Sequence, residues 1–168
     1  MSQISFTVLG KPQPQGSMKG FVIPGKGGAK PRAILTSDNT KMKPYRQQVG
    51  WAALKASSDA GIEGLFAEKH VAVGVEMRFY FAKPPSISKK RIHAVVKPDL
   101  SKLVRSTEDA LTGVIYCDDA QIVQLTASKH YGLPERAEIM VTNLEDEVPL
   151  VTGRQGFFNV PDEIISFE

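Results

Sequence analysis

The sequence predicts an α/β (α+β) domain in which two main helices pack on a single small mixed sheet. Three observations predict it: residues 71–81 alternate with period two, residues 43–60 and 99–113 carry apolar side chains at helical spacing, and strand-like runs follow the second helical stretch. With 168 residues, 42% of them hydrophobic and 23% charged, the chain is long enough to bury one core and too apolar for wholesale disorder.

Ile4, Phe6 and Val8 alternate with Ser5, Thr7 and Leu9, which predicts a short strand ending at Gly10-Lys11-Pro12. A long loop of Gly, Pro and Lys follows, and residues 32–36 add a second strand. From Lys43 the spacing of Tyr45, Val49, Ala52, Ala53 and Ala56 marks an amphipathic helix that fades at Ala60-Gly61, with Pro44 suited to its first turn. Val71, Val73, Val75, Met77, Phe79 and Phe81 line one face of the clearest strand, which Lys83-Pro84-Pro85 stops. The basic segment through Lys97-Pro98 reads as an exposed loop. A helix begins near Asp99, because Leu100, Leu103, Val104, Thr107 and Leu111 recur on one face before Gly113 ends it. Strands at 121–131 and 136–144, joined by a turn at Gly132-Leu133-Pro134, complete a domain assigned to residues 1–145. Residues 146–168 are acidic, contain Pro149, Gly153, Gly156 and Pro161, and read as an appended tail with an apolar end, Ile164-Ile165-Ser166-Phe167.

Charge is segregated along the chain. Residues 10–55 hold nine Lys or Arg, Lys30, Arg32 and Lys43 among them, against Asp38 alone. Residues 83–105 hold seven (Lys83, Lys89, Lys90, Arg91, Lys97, Lys102, Arg105) against Asp99 alone, whereas from 136 onward two bases face seven acids. Such segregation fits a polyanionic partner for the basic portion, nucleic acid first, with a solvated basic face as the alternative. A single cysteine, Cys117, cannot form an intramolecular disulfide and is read as a small apolar filler. The start of the chain lacks the pattern of a signal peptide and no window reaches the roughly 18 apolar residues of a membrane span, so a cytoplasmic protein is expected.

No Walker loop, Gly-x-Ser-x-Gly elbow or dinucleotide fingerprint is present, and His70, His93 and His130 are scattered singly. What remains is a set of carboxylates. Asp99 opens a helix directly after a basic loop, and Asp118-Asp119 lies just before a strand, after the helix has carried the chain back. Hard divalent cations need carboxylate oxygens from separate points of a fold where phosphate can complete the shell. The competing readings are a helix N-cap for Asp99 and a turn for Asp118-Asp119.

The run Lys97-Pro98-Asp99-Leu100-Ser101-Lys102-Leu103-Val104-Arg105, then Asp109-Ala110-Leu111-Thr112-Gly113-Val114, then Asp118-Asp119-Ala120-Gln121-Ile122-Val123 resembles the RusA-like Holliday-junction resolvases. Phe6-Thr7-Val8-Leu9-Gly10-Lys11-Pro12 and Lys129-His130-Tyr131-Gly132 are similar to that family as well, so the resemblance spans residues 3–145. It implies a small homodimeric endonuclease, dependent on Mg²⁺ with Mn²⁺ as a substitute, encoded by a bacterium or phage, that nicks four-way DNA junctions symmetrically. By the same resemblance the metal carboxylates fall on Asp99 and Asp119, with Asp118 a lesser candidate, and the helix lysine falls on Arg105, where the charge is kept and the geometry changed. Lys89, Lys90, Arg91, Lys97, Lys102, Lys30, Arg32 and Lys43 are the residues expected to follow the DNA backbone.

The family's second aspartate falls on Ser101. A neutral hydroxyl there lowers the expected metal affinity, and Glu108, seven residues on and about 10 Å along the helix axis, is a poor substitute. A junction-binding protein with weak or no catalysis is therefore the alternative function, and an unrelated basic α/β domain with capping aspartates is the blandest one.

Overall fold

A computed structural model describes residues 2–24, 30–37, 39–62 and 68–145. The acidic tail and the Gly25-Lys26-Gly27-Gly28 loop lie outside them. Along the chain run β1 (Gln3–Leu9), β2 (Met18–Ile23), β3 (Arg32–Ser37), α1 (Met42–Asp59), β4 (Val73–Phe81), α2 (Leu100–Leu111), a 3-10 turn at Asp119–Gln121, β5 (Ile122–Tyr131) and β6 (Arg136–Asn143).

Four strands form the main sheet in the order β1-β6-β4-β5. β6 pairs antiparallel with both β1 and β4, and β4 pairs parallel with β5, so the sheet is mixed, as expected. The stretch after β1, which reads in sequence as a long loop, also contains β2. It pairs with β3 in a separate two-stranded hairpin, from Met18 opposite Ser37 to Ile23 opposite Arg32. Gly20 interrupts the run and Val22 is followed directly by Ile23, so β2 shows little alternation, and its backbone partners lie far along the chain.

β4 is central, and its alternation is realised: Val73, Val75, Met77, Phe79 and Phe81 are all buried. Against them pack Ala137, Ile139 and Val141 from β6, Ile4 and Val8 from β1, Tyr45, Val49 and Ala53 from α1, and Leu103, Val104, Ala110 and Leu111 from α2. Leu103 and Leu111 are wholly inaccessible, so truncating either to Ala removes about 2–5 kcal/mol. The helices also share a polar link inside this core. The Tyr45 hydroxyl lies 3.1 Å from Thr107 Oγ1, which donates to the Leu103 carbonyl at 3.0 Å. Burial pushes the Tyr45 phenol up to about 12, partly offset by the Thr107 bond.

A parallel pair cannot be joined by a hairpin. The chain therefore crosses from the end of β4 through the basic loop and α2 before it returns to start β5. Asp99 and Asp118-Asp119 stand at the two junctions of this one crossover. None of the described helices is long and apolar enough to cross a membrane.

Candidate active site

Asp99 occupies the N-cap position of α2 with extended backbone (φ −69°, ψ 137°), yet its side chain makes no capping hydrogen bond. The expected alternative role as a cap is therefore unfilled, and the exposed carboxylate is left for something else. Lys102, one turn on, brings Nζ to 3.8 Å of it. The approach to Asp99 is held from β5, where Lys129 Nζ donates to the carbonyls of Val96 at 2.6 Å and Pro98 at 2.7 Å. This lysine links the sheet edge to the loop that carries Asp99. Sequence reasoning missed its role, because the spacing between residues 98 and 129 gives no sign of the contact.

Beyond Asp99 the outer face of α2 carries Ser101, Arg105 and Glu108, at i, i+4 and i+7. Glu108 lies nine residues from Asp99, about 14 Å along the axis at 1.5 Å per residue. Burial raises its carboxyl above the usual range, the negative charges of Asp119 and Asp109 raise it further, and Arg105 partly opposes them. Asp119 is thus within electrostatic reach of the second half of α2, while Asp99 stands at the helix start. Tyr116 links the same region, donating its hydroxyl to the Glu108 carbonyl at 3.2 Å. Among the described residues, no three His, Cys, Asp or Glu side chains gather closely enough to hold one ion.

The two neighbouring aspartates differ in use. Asp118 accepts from the Ala120 N–H at 2.9 Å and forms a reciprocal capping box with Gln121 around the 3-10 turn. That backbone bond, with hydrogen bonding to Asp119, holds the Asp118 carboxyl below its ordinary value. Both carboxylates are exposed, but Asp118 is engaged in shaping the turn, at whose first position Asp119 stands. Gln121 fixes the turn to the body of the protein. Its Oε1 accepts from the N–H groups of Cys117 (2.8 Å) and Asp118 (3.1 Å), and its Nε2 donates to the carbonyls of Glu68 (3.0 Å) and Val71 (3.1 Å). The Asp-x-x-Gln spacing at 118–121 was the available signal for this role. Cys117 needs correction: it is exposed rather than a core filler, because the buried positions of this turn are taken by Ile115 and Tyr116.

Lys30, Arg32, Lys43, Lys89, Lys90, Arg91, Lys97 and Lys102 are all exposed. Lys83 organises one group of them, donating from Nζ to the carbonyls of Lys89 at 3.0 Å and Arg91 at 2.7 Å. Arg46 belongs to a different class from these exposed bases. Its guanidinium binds Gln15 and Asp109, so it ties α1 to α2 and to the loop after β1.

The available donors are carboxylate oxygens beside an arginine and several lysines, a set suited to a hard cation and a phosphodiester rather than to a soft metal. The model of the family described as Endodeoxyribonuclease RusA matches residues 13–142. The chain is also similar to the uncharacterised protein YqaN of Bacillus subtilis (strain 168), at 30% identity over 151 residues that cover 84% of this chain and 96% of that protein. A family match across α1, α2 and five of the six strands, including both carboxylate-bearing junctions, leads to one conclusion: the chain belongs to the RusA endodeoxyribonuclease family.

Proposed function

We propose that this protein is a Mg²⁺-dependent, structure-specific endodeoxyribonuclease that resolves four-way (Holliday) DNA junctions by paired nicks in recombination and repair. The observation that carries the reading is Asp99: an exposed carboxylate at a helix start that it does not cap, set between Lys97 and Lys102 in a chain of this family. Asp99 and Asp119 would hold the cation, with Asp118 orienting the turn that presents Asp119. When bound, Mg²⁺ supplies a nucleophilic water and charge stabilisation at the leaving oxygen. Arg105, exposed on α2 between Ser101 and Glu108, would bind the non-bridging phosphate oxygens through its planar fork. Lys30, Arg32, Lys43, Lys89, Lys90, Arg91, Lys97 and Lys102 would hold neighbouring phosphates and so orient the strand.

A two-fold homodimer would offer two equivalent sites to two equivalent strands. In the same reading residues 1–145 form the nuclease domain of a cytoplasmic protein of bacterial or phage origin, and the tail, 146–168, docks a protein partner or the second subunit through its apolar end. A second reading is favoured by Ser101 and by the absence of a three-acid cluster among the described residues: junction binding with weak or no catalysis. Cleavage of a synthetic four-way junction and of a linear duplex of the same sequence, in Mg²⁺ and in EDTA, separates the two. Nuclease function requires paired nicks in the junction alone and only with the cation. Tight junction binding without nicking at any Mg²⁺ concentration would leave the binding protein.

A further inference from the structure

β1 closes one side of the main sheet, and among the described strands only β6 pairs with it. The phase of that pairing tells which of its backbone groups face outward. The Asn143 N–H donates to the Ser2 carbonyl and the Gly10 N–H to the Glu135 carbonyl, both at 2.9 Å. Bonded pairs alternate with non-bonded ones along an antiparallel ladder. Ile4, Phe6 and Val8 therefore bond to β6, while Gln3, Ser5, Thr7 and Leu9 turn their N–H and C=O groups away from the sheet. Alongside this free edge runs a groove of about 530 Å³, floored by Gln3–Thr7 of β1 and walled by Ala52, Lys55, Ala56 and Asp59 of α1.

The groove is shaped for an extended peptide. An unpaired strand edge offers main-chain donors and acceptors, and space beside it takes alternate side chains of an added strand. Phe6 is only partly buried on the floor, and Ala52 and Ala56 are too short to fill the space above it. The one cationic side chain among the described lining, Lys55, is paired with Asp59 at 2.8 Å, so the groove has little to hold a phosphate. A matching segment lies in the tail. In Ile164-Ile165-Ser166-Phe167 the residues Ile165 and Phe167 share one face of a strand, and Ser166 falls on the other. Residues 146–163 lead up to it and span up to about 60 Å when extended. The chain's own exit from β6 is directed elsewhere. The Leu144 N–H donates to the Ala72 carbonyl at 2.9 Å, the Glu145 carboxylate accepts from the Ala72 N–H at 3.1 Å, and the Leu144 side chain lies against Gly74. These contacts hold the exit on the β4 side of β6, with β6 and β1 between it and the free edge.

We propose that the groove between α1 and β1 receives the tail of a second copy of this chain, whose segment 164–167 adds a strand to β1 with Ile165 and Phe167 turned into the groove. The exchange is reciprocal, each subunit giving one strand and taking one. It rests on the two-fold dimer read above. Hydrogen exchange of single amides in the ¹⁵N-labelled full chain, measured by mass spectrometry at residue resolution, tests it. The Ser5 and Thr7 amides are expected to exchange about tenfold more slowly where sedimentation shows a dimer than where dilution gives a monomer. Ile165→Asp combined with Phe167→Asp should remove that protection and leave the Ile4, Phe6 and Val8 amides, which report the fold itself, unchanged. Ile164→Asp, on the opposite face of the added strand, should leave the protection within about threefold. Adding unlabelled wild-type protein to the labelled double variant should restore it, since the donated strand comes from the other copy. Protection that persists in the monomer, with no restoration in the mixture, assigns the edge to the chain's own tail and overturns the proposal. A dimer whose Ser5 and Thr7 exchange as fast as in the double variant overturns it too and leaves the dimer reading standing, whereas a monomer at every concentration overturns both.

Discussion

At position 101 an exposed hydroxyl stands one helical turn before Arg105, where the family resemblance places a second aspartate. A carboxylate there would add a full negative charge and two oxygens beside the expected cation. Ser101→Asp is therefore expected to raise Mg²⁺-dependent junction cleavage at least tenfold, about 1.4 kcal/mol of barrier. Junction affinity in EDTA should stay level or fall, because the new charge faces phosphate. An unchanged rate would place residue 101 outside the metal shell. Glu108 offers a second check. Its carboxyl is raised by burial first and then by Asp119 and Asp109, so its ionised form opposes folding above the unfolded value, and that opposition is relieved as pH falls through the raised folded value. Glu108→Gln should accordingly raise Tm at neutral pH and flatten the pH dependence of stability on the acid side, as read by thermal melts across pH. Asp99, Arg105 and Asp119 could be singled out in the sequence because they sit at fixed short spacings around one helix. Lys129 acts through bonds to a segment far along the chain, and no local pattern marks it.

Elements with an internal periodicity were legible and elements defined by their partners were not. α2 shows both cases. Its apolar face, Leu103, Val104, Thr107 and Leu111, is plain in sequence and is buried as expected, whereas its clamp to the sheet through the loop before it is visible only in three dimensions. Replacing Lys129 with Met should free the Val96 and Pro98 carbonyls from their shared donor and loosen the placement of Asp99. The expected result is a higher Mg²⁺ concentration for half-maximal cleavage with little change in the rate at saturating Mg²⁺, and partial rescue by Lys129→Arg. The packing of α1 on α2 carries a pH prediction of its own. The Tyr45 phenol ionises at about 12 in the fold against 10.0 ordinarily, so its contribution is present below pH 10 and is lost as pH rises through about 12. Tyr45→Phe should cost about 1 kcal/mol at neutral pH and should weaken the loss of stability between pH 10 and 12, as followed by circular dichroism. β2 escaped notice for the reason that β4 did not: with Gly20 inside it and little alternation, it is a strand only because β3 pairs with it.

Across the whole molecule, the segregated charge is read as one surface for DNA backbones. Lys89, Lys90 and Arg91 lie exposed on the loop that Lys83 braces, and changing all three to Ala should weaken junction binding alike for every sequence. The slope of log affinity against log salt should become shallower by about one for each phosphate that no longer meets a cationic side chain. An unaltered slope would make that loop a solvated face. The central claim is that the two ends of the β4–α2–β5 crossover act as one catalytic unit, with Asp99 at one end, Asp119 at the other and Arg105 on the helix between them. A double-mutant cycle on junction cleavage tests it most directly, with Asp99→Asn, Asp119→Asn and the pair compared at fixed Mg²⁺ under single-turnover conditions. If both carboxylates serve one cation site, each single variant should lose at least a hundredfold and the pair should lose scarcely more than the worse single. Losses that multiply, or a single variant that cuts at the wild-type rate, would contradict a shared site.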